Sequence, residues 1–249
     1  MEGKANRIRV GTYNTGDFSG AEVPAGSEKA KVLFREVMES DNVEFWALQE
    51  DVGFFNPETG EMPYEAIYDH YQNYKRSGEK KYNYKAFLSD LPMTEVERVY
   101  YTGAPKFGHP WFLHTQVEIG GKKVCMISLH FDWQDCDLRV LQIRQVIAFA
   151  AQYEYAMIIG DFNPDDYVNG EKRSDRLTYE EDLAIFRNAG FQAANADRFG
   201  IFTTIVRENT AFPCDNIVVS PNIRICNVGR IYREWMNDHV PLWADLEIL

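Results

Sequence analysis

The chain is short of cysteine, of positive charge and of long apolar runs, and each shortage removes a class of function. Only four of the 249 residues are cysteines: Cys125, Cys136, Cys214 and Cys226. None is spaced C-x-x-C, which argues against a structural zinc site, and nothing in their placement points to a disulfide. Cys125, inside the apolar run "KVCMISLH", reads as a small core residue. No apolar stretch is long enough to cross a bilayer, so no transmembrane segment is expected. The opening "MEGKANRIRV" has no signal-peptide core and passes almost directly into a strand pattern. On these grounds the protein is expected in the cytoplasm, or outside the cell if a leader has been trimmed. Lys and Arg total 26 against 38 Asp and Glu, a net charge of −12. Duplex binding draws on Lys and Arg replacing counterions, so a general duplex-coating protein is disfavoured. A local basic groove, or an acidic cluster neutralised by a metal, remains compatible with that balance. Repeats, linkers and low-complexity tracts are also missing.

What is present builds a core. The chain is 45% hydrophobic and 14% aromatic, a globular composition. "RIRVGTYN" alternates, with Ile8, Val10 and Thr12 on one side and Arg7 and Arg9 on the other, as a half-buried strand does. Ser27 opens a helix with Ala30, Leu33, Phe34, Val37 and Met38 at helical spacing. "VEFWALQE" and "KAFLSDLPM" read as strands, and residues 51–85 as a polar, Tyr-rich loop. "WFLHTQVEI" and "KVCMISLH", joined across Gly120-Gly121, read as a hairpin. A helix is expected over 138–152, a strand at "AMIIGDFN", and a helix from the Thr178/Glu181 capping box to Gly190. "CDNIVVS" and the alternating run from Val240 to Ile248 supply further strands. Helices fall between strands in both halves, which suits one α/β domain over 1–249 better than two.

Polar residues cluster at the ends of these strands. Asn14, Glu50, His130, and Asp161 with Asn163 stand where apolar runs stop; Asp215 starts one; Asp238 and His239 precede the last. Strand ends hold side chains facing a cleft on a rigid sheet, so these groups are expected to face a solvated cleft. Taken singly, each has a plain alternative. Asn14 suits a turn before Gly16, Glu50 a solvated strand end, His130 a core histidine, Asp215 a turn cap, and Asp238 and His239 a loop. Taken together they combine oxygen donors suited to a hard divalent cation with histidines able to move protons near neutral pH. That is an outfit for phosphate-ester hydrolysis by an in-line water.

The ordered set "TYN", "LQE", "SLH", "GDFN", "CDNIVVS" and "NDHVPLWADLEI" resembles the endonuclease/exonuclease/phosphatase superfamily. "AFLSDLPM" resembles a further strand of that family, and the likeness runs from residue 8 to 248. The resemblance implies a four-layered α/β sandwich: two mostly antiparallel β-sheets face to face, with helices outside. By position it makes Glu50 the main metal ligand, Asn14 the amide beside the metal and Asp238 a second metal contact, for Mg²⁺ with Mn²⁺ as a substitute. Asp161 would orient or deprotonate the water, and Asn163 would hold the phosphoryl oxygen. His239, bonded to Asp215, would stand beside the phosphate, and His130 would protonate the leaving oxygen.

Two motifs depart from the family pattern. Asn237 replaces the serine of "SDH", and Asn216 replaces the aromatic after Asp215. Neither change removes a charged catalytic group. The expectation is therefore a divalent-metal-dependent phosphodiesterase or phosphatase, with a DNA or RNA endonuclease or exonuclease as the alternative. Substrates in view are a small phosphodiester, a phospholipid headgroup or nucleic acid; no protein partner is inferred. A non-catalytic scaffold of the same fold would be expected to have lost one of these groups. A carboxylate-pair glycosidase would not need Asn163 or two histidines. Tyr64, Tyr68, Tyr71, Tyr74, Tyr82, Tyr84, Tyr100, Tyr101, Trp111 and Trp133 could stack on a substrate or simply pack a loop. Lys75, Arg76, Lys80, Lys81 and Lys85 make the same stretch locally basic.

Overall fold

Alternating and fully apolar segments pair into two sheets that enclose most of the core. The computed structural model describes residues 6–51, 73–77, 84–103, 110–133, 135–164, 167–168, 171–172, 178–196, 205–207, 210–236 and 239–249. The first strands in chain order are β1 (Arg7–Asn14), β2 (Phe45–Gln49), β3 (Asn73–Ser77), β4 (Lys85–Ser89), β5 (Glu97–Tyr100), β6 (Trp111–Ile119), β7 (Lys122–His130) and β8 (Ala156–Asp161). They are followed by β9 (Tyr167–Val168), β10 (Glu171–Lys172), β11 (Gln192–Ala193), β12 (Ile205–Arg207), β13 (Thr210–Phe212), β14 (Asp215–Val219), β15 (Ile223–Arg230) and β16 (Leu242–Ile248). Among the described residues the α-helices are α1 (Glu28–Glu39), α2 (Cys136–Ala150) and α3 (Thr178–Asn188).

One six-stranded sheet has the order β15-β16-β1-β2-β4-β3, and the other β11-β14-β8-β7-β6-β5. Every pairing in them is antiparallel except β1 with β2 and β7 with β8. Val10, Phe45, Ala47, Phe87 and Leu246 of the first sheet pack against Leu113, Met126, Met157, Ile159 and Ile217 of the second. Helix α1 lays Ala30, Phe34, Val37 and Met38 on the outer face of the first sheet, against Trp46 and Leu48. Helices α2 and α3 cover the other outer face, with Ile143, Val146 and Phe186 against Ile127, Leu129 and Ile158. The result is the four-layered sandwich with mostly antiparallel sheets.

The helix starts are set by side-chain caps. Ser27 accepts from the Ala30 N–H at 3.1 Å and so opens α1. Asp135 accepts from the Leu138 N–H at 3.0 Å, which starts α2 at Cys136, two residues before the apolar pattern becomes visible. Strand β1 is half-buried only at first. From Gly11 onward both of its faces are covered, because Trp46 packs so closely that a Cβ on Gly11 would lie 2.4 Å from its ring. Strands β3, β5 and β15 do not stand out in the sequence; β3 lies in a stretch that reads as loop.

The parallel pair β7–β8 brings two backbones together at the end of the second sheet. Gly160 has φ 150°, and a Cβ there would sit 2.1 Å from the Leu129 carbonyl oxygen. Only glycine fits, and the next residue is Asp161. Gly160→Ala should therefore destabilise the protein by at least ~2 kcal/mol. Urea unfolding of the two proteins checks this, and equal midpoints would contradict it.

Candidate active site

Register assembles the centre of the site. His130 ends β7, Asp161 ends β8 and Asp215 begins β14, and the ladder sets both His130 and Asp215 directly opposite Asp161. Three chemically active residues thus stand side by side at one end of one sheet. At the facing end of the other sheet, Asn14 closes β1 and Glu50 follows β2, whose parallel register puts Asn14 opposite Gln49. His239 precedes β16 by three residues.

Asp161 is the hub. Its Oδ2 lies 3.1 Å from Asn14 Nδ2, 3.3 Å from His130 Nε2 and 3.6 Å from His239 Nε2. Its Oδ1 accepts from the Asn163 N–H at 2.9 Å. On the far side of the His239 ring, Nδ1 lies 3.0 Å from Asp215 Oδ2. That contact fixes the orientation of the imidazole and leaves Nε2 facing Asp161. Asp161, Asp215 and His239 each offer an atom within 4.8 Å of the others, a spacing that could also hold a metal ion.

Asn14 bridges the two sheets. Its NH₂ group donates to Glu50 Oε1 at 3.3 Å as well as to Asp161, and its Oδ1 accepts from the Gly16 N–H at 3.1 Å. Asn163 adopts φ 42°, a left-handed conformation that Asn tolerates better than most residues. One N–H of its amide donates to the Phe131 carbonyl at 3.0 Å.

Glu50 is held by its backbone. Its N–H donates to the Tyr84 carbonyl at 2.9 Å, while its own carbonyl accepts from Thr15 Oγ1 at 2.9 Å and the Asp17 N–H at 3.1 Å. These bonds fix a φ of 54°, a strained value for a glutamate, and so aim the side chain. Burial pushes the Glu50 carboxyl up to about 7; His239 and the Asn14 amide oppose this, and Asp161 and Asp17 add to it. Lys85, which Glu50 attracts, is fully buried with Nζ 4.0 Å over the Trp111 ring. Burial brings that amine down to about 7, against the attraction of Glu50.

The loop after His130 is anchored from α2 and α3. Arg139 donates through Nε to Asp182 at 2.8 Å and through Nη1 to the Asp132 carbonyl at 3.2 Å, and the Asp132 N–H donates to Gln142 at 2.9 Å. Next to this fixed segment Trp133 is exposed, as is Tyr100, whereas Tyr101 and Trp111 are packed inside. Tyr64, Tyr68, Tyr71, Tyr82, Lys80, Lys81 and the metal candidate Asp238 lie outside the described residues.

Asn14, His130, Asp161, Asn163, Asp215 and His239 therefore form one connected cluster, with Glu50 on its rim. The cluster is drier than a solvated cleft: Asp161 is 1% exposed and His239 6%. Sequence reasoning missed Asp17, Lys85 and Cys214. Asp17 follows Gly16 and reads as a turn former, Lys85 reads as surface charge, and Cys214 gives no signal until the strands are paired.

No protein-family model and no curated protein sequence matches the chain. Solved structures do match, over nearly its whole length. An endonuclease/exonuclease/phosphatase from Beutenbergia cavernae DSM 12333 has a TM-score of 0.74 at 14% identity, covering 98% of this chain and 72% of that one. Another of that designation, from Bacteroides vulgatus, has a TM-score of 0.71 at 18% identity, covering 98% and 99%. D. rerio TDP2, solved with a single-strand DNA product, has a TM-score of 0.66 at 12% identity, covering 97% and 99%. The chain has the endonuclease/exonuclease/phosphatase fold.

The Glu50 carboxyl supplies a test. Its value rises from 4.5 in the free amino acid side chain to about 7 in the fold, so between those values the native state holds a proton that the unfolded chain has lost. Stability conferred by that proton is complete at low pH and disappears as pH rises through about 7. Relative to the parent protein, Glu50→Gln should gain roughly 1–3 kcal/mol between pH 5 and pH 8 in chelator. Urea unfolding at the two pH values measures it. A difference that does not change with pH would contradict the burial of this carboxyl.

Proposed function

We propose that this protein is a divalent-metal-dependent phosphoester hydrolase acting by in-line attack of an activated water. The observation that carries the proposal is the convergence of His130 Nε2, His239 Nε2 and Asn14 Nδ2 on one carboxylate oxygen of Asp161. Nitrogen donors around a single anionic oxygen suit a site where a phosphoryl group and a water exchange hydrogen bonds with the same atoms.

The donor set fits a hard cation. Glu50, Asp161 and Asp17 crowd together closely enough that the two aspartates raise the Glu50 carboxyl, a repulsion that a divalent ion would relieve. Glu50 would hold it, with Asn14 and Asp238 assigned by the resemblance. Mg²⁺ or Mn²⁺ bound there would neutralise a phosphate oxygen and charge building on the leaving oxygen.

The protein's own groups do the rest. Asp161 Oδ2 accepts a hydrogen bond from the attacking water and aligns it with phosphorus. Asp215 holds the His239 ring so that its Nε2 donates to a non-bridging oxygen, and Asn163 donates its remaining amide N–H to another. His130 Nε2 delivers a proton to the leaving oxygen. A dry, pre-bonded cluster strengthens each contact, because few waters compete for it.

A nuclease is the second reading, favoured by the single-strand DNA product held by D. rerio TDP2 on the same fold. The net charge of −12 opposes tracking along a duplex and leaves a short single strand or a compact phosphoester as the preferred substrate.

Hydrolysis of an aryl phosphodiester should vanish in chelator and return with Mg²⁺ or Mn²⁺; full activity in excess chelator would refute the metal. Asp161→Asn and His239→Ala should each lower kcat by about 10²–10⁴-fold. Either variant turning over like the parent would remove that residue from the mechanism. Turnover compared across plasmid DNA, short single strands, inositol phosphates, sphingomyelin and small diesters decides the substrate, and rapid plasmid nicking above all others would make the protein a deoxyribonuclease.

A further inference from the structure

The residue just before β14 is Cys214, and its side chain points at the reactive cluster. Sγ lies 3.0 Å from Asp161 Oδ1 and 3.7 Å from Asn163 Oδ1. Its backbone carbonyl accepts from the Phe162 N–H at 3.0 Å, so the residue is tied to the catalytic turn through both main chain and side chain. At 1% exposure it is closed off from solvent. None of the four cysteines is joined in a disulfide, so the Cys214 sulfur carries its proton.

We propose that the Cys214 thiol is a positioning residue that donates its S–H to Asp161 Oδ1 and so turns Oδ2 toward the reacting groups. The inference rests on the phosphoester-hydrolase reading of the site. Oδ1 then has two donors from two different segments: the Asn163 N–H at 2.9 Å, two residues along the same turn, and the thiol of the residue that leads into β14. One donor fixes a carboxylate oxygen in place but leaves the group able to rotate about the Cα–Cβ and Cβ–Cγ bonds. Two donors from different directions remove that freedom. The other oxygen is then aimed at His130, His239 and Asn14 before any substrate arrives.

The thiol suits this role better than nucleophilic or redox chemistry. Burial, with Asp161 and Asp215 adding to it, holds it well above the usual thiol range, so it keeps the proton it donates. Sulfur also fills the space between β8 and β14 as a small apolar group would, which lets one side chain both pack and donate.

Two measurements test the inference. The first needs no turnover. The S–H stretching band of Cys214, identified by its loss in Cys214→Ser, should move to higher frequency in Asp161→Asn because a neutral amide accepts more weakly than a carboxylate. A band that does not move overturns the contact. The second is kinetic. Cys214→Val, close in volume but without a donor, should lower kcat about tenfold with KM within about twofold, since only orientation is lost. Cys214→Ser, which restores a donor, should recover most of that loss. In an Asp161→Asn background Cys214→Val should change kcat less than about twofold, because its effect passes through Asp161. A valine variant as active as the parent, or one that loses the same factor in both backgrounds, overturns the positioning role. A parent protein that hydrolyses no phosphoester refutes the functional reading instead, and the band shift then decides the Cys214 contact alone.

Discussion

The side-chain cluster between the two sheets depends on one buried carboxylate, Asp161, being held at their meeting point. Its Oδ2 is shared by His130 from the adjacent strand, His239 from the loop before β16, and Asn14 from the opposite sheet. A buried carboxylate with too few donors would be costly, so the fold must supply them. Gly160 lets the β8 backbone come close to β7, which fixes the height of Asp161 relative to His130. Asn14 closes the circuit between the sheets by donating to Asp161 and Glu50 together. Packing of the sandwich and geometry of the site are therefore the same problem.

The central elements of the fold were legible in the sequence, and its edges were not. Strands β1, β2, β4, β6, β7, β8, β14 and β16 carry long apolar or alternating runs because they sit inside the sheets, covered on one or both faces. Strands β3 and β15 are the two edges of one sheet and β5 an edge of the other. Edge strands carry charge and polar groups that blunt further pairing, so "NYKRS", "ERVY" and "IRICNVGR" lack the periodicity that marks a buried strand. The start of α2 was hidden for a related reason: Asp135 caps the helix with a polar side chain, ahead of the first buried residue.

The site divides along similar lines. Asn14, Glu50, His130, Asp161, Asn163, Asp215 and His239 could be found because each stands at the end of an apolar run, and their order along the chain resembles a family pattern. Their partnerships could not be found. That His130 and Asp215 flank Asp161 is a fact of strand register, which no local pattern encodes. Asp17, Lys85 and Cys214 act through proximity alone. Asp17 adds to the negative field at Glu50, Lys85 is attracted by Glu50, and Cys214 meets Asp161 only once β8 and β14 have paired.

The central claim is that the Asp161 cluster directs a water to phosphorus. The direct measurement is a single turnover of a phosphodiester in ¹⁸O-labelled water, with the parent protein and with Asp161→Asn, followed by mass analysis of both products. The account predicts that the label enters the phosphate-bearing product and that its rate of entry collapses in the variant. Label in the alcohol product, or unchanged entry without the Asp161 carboxylate, would contradict it.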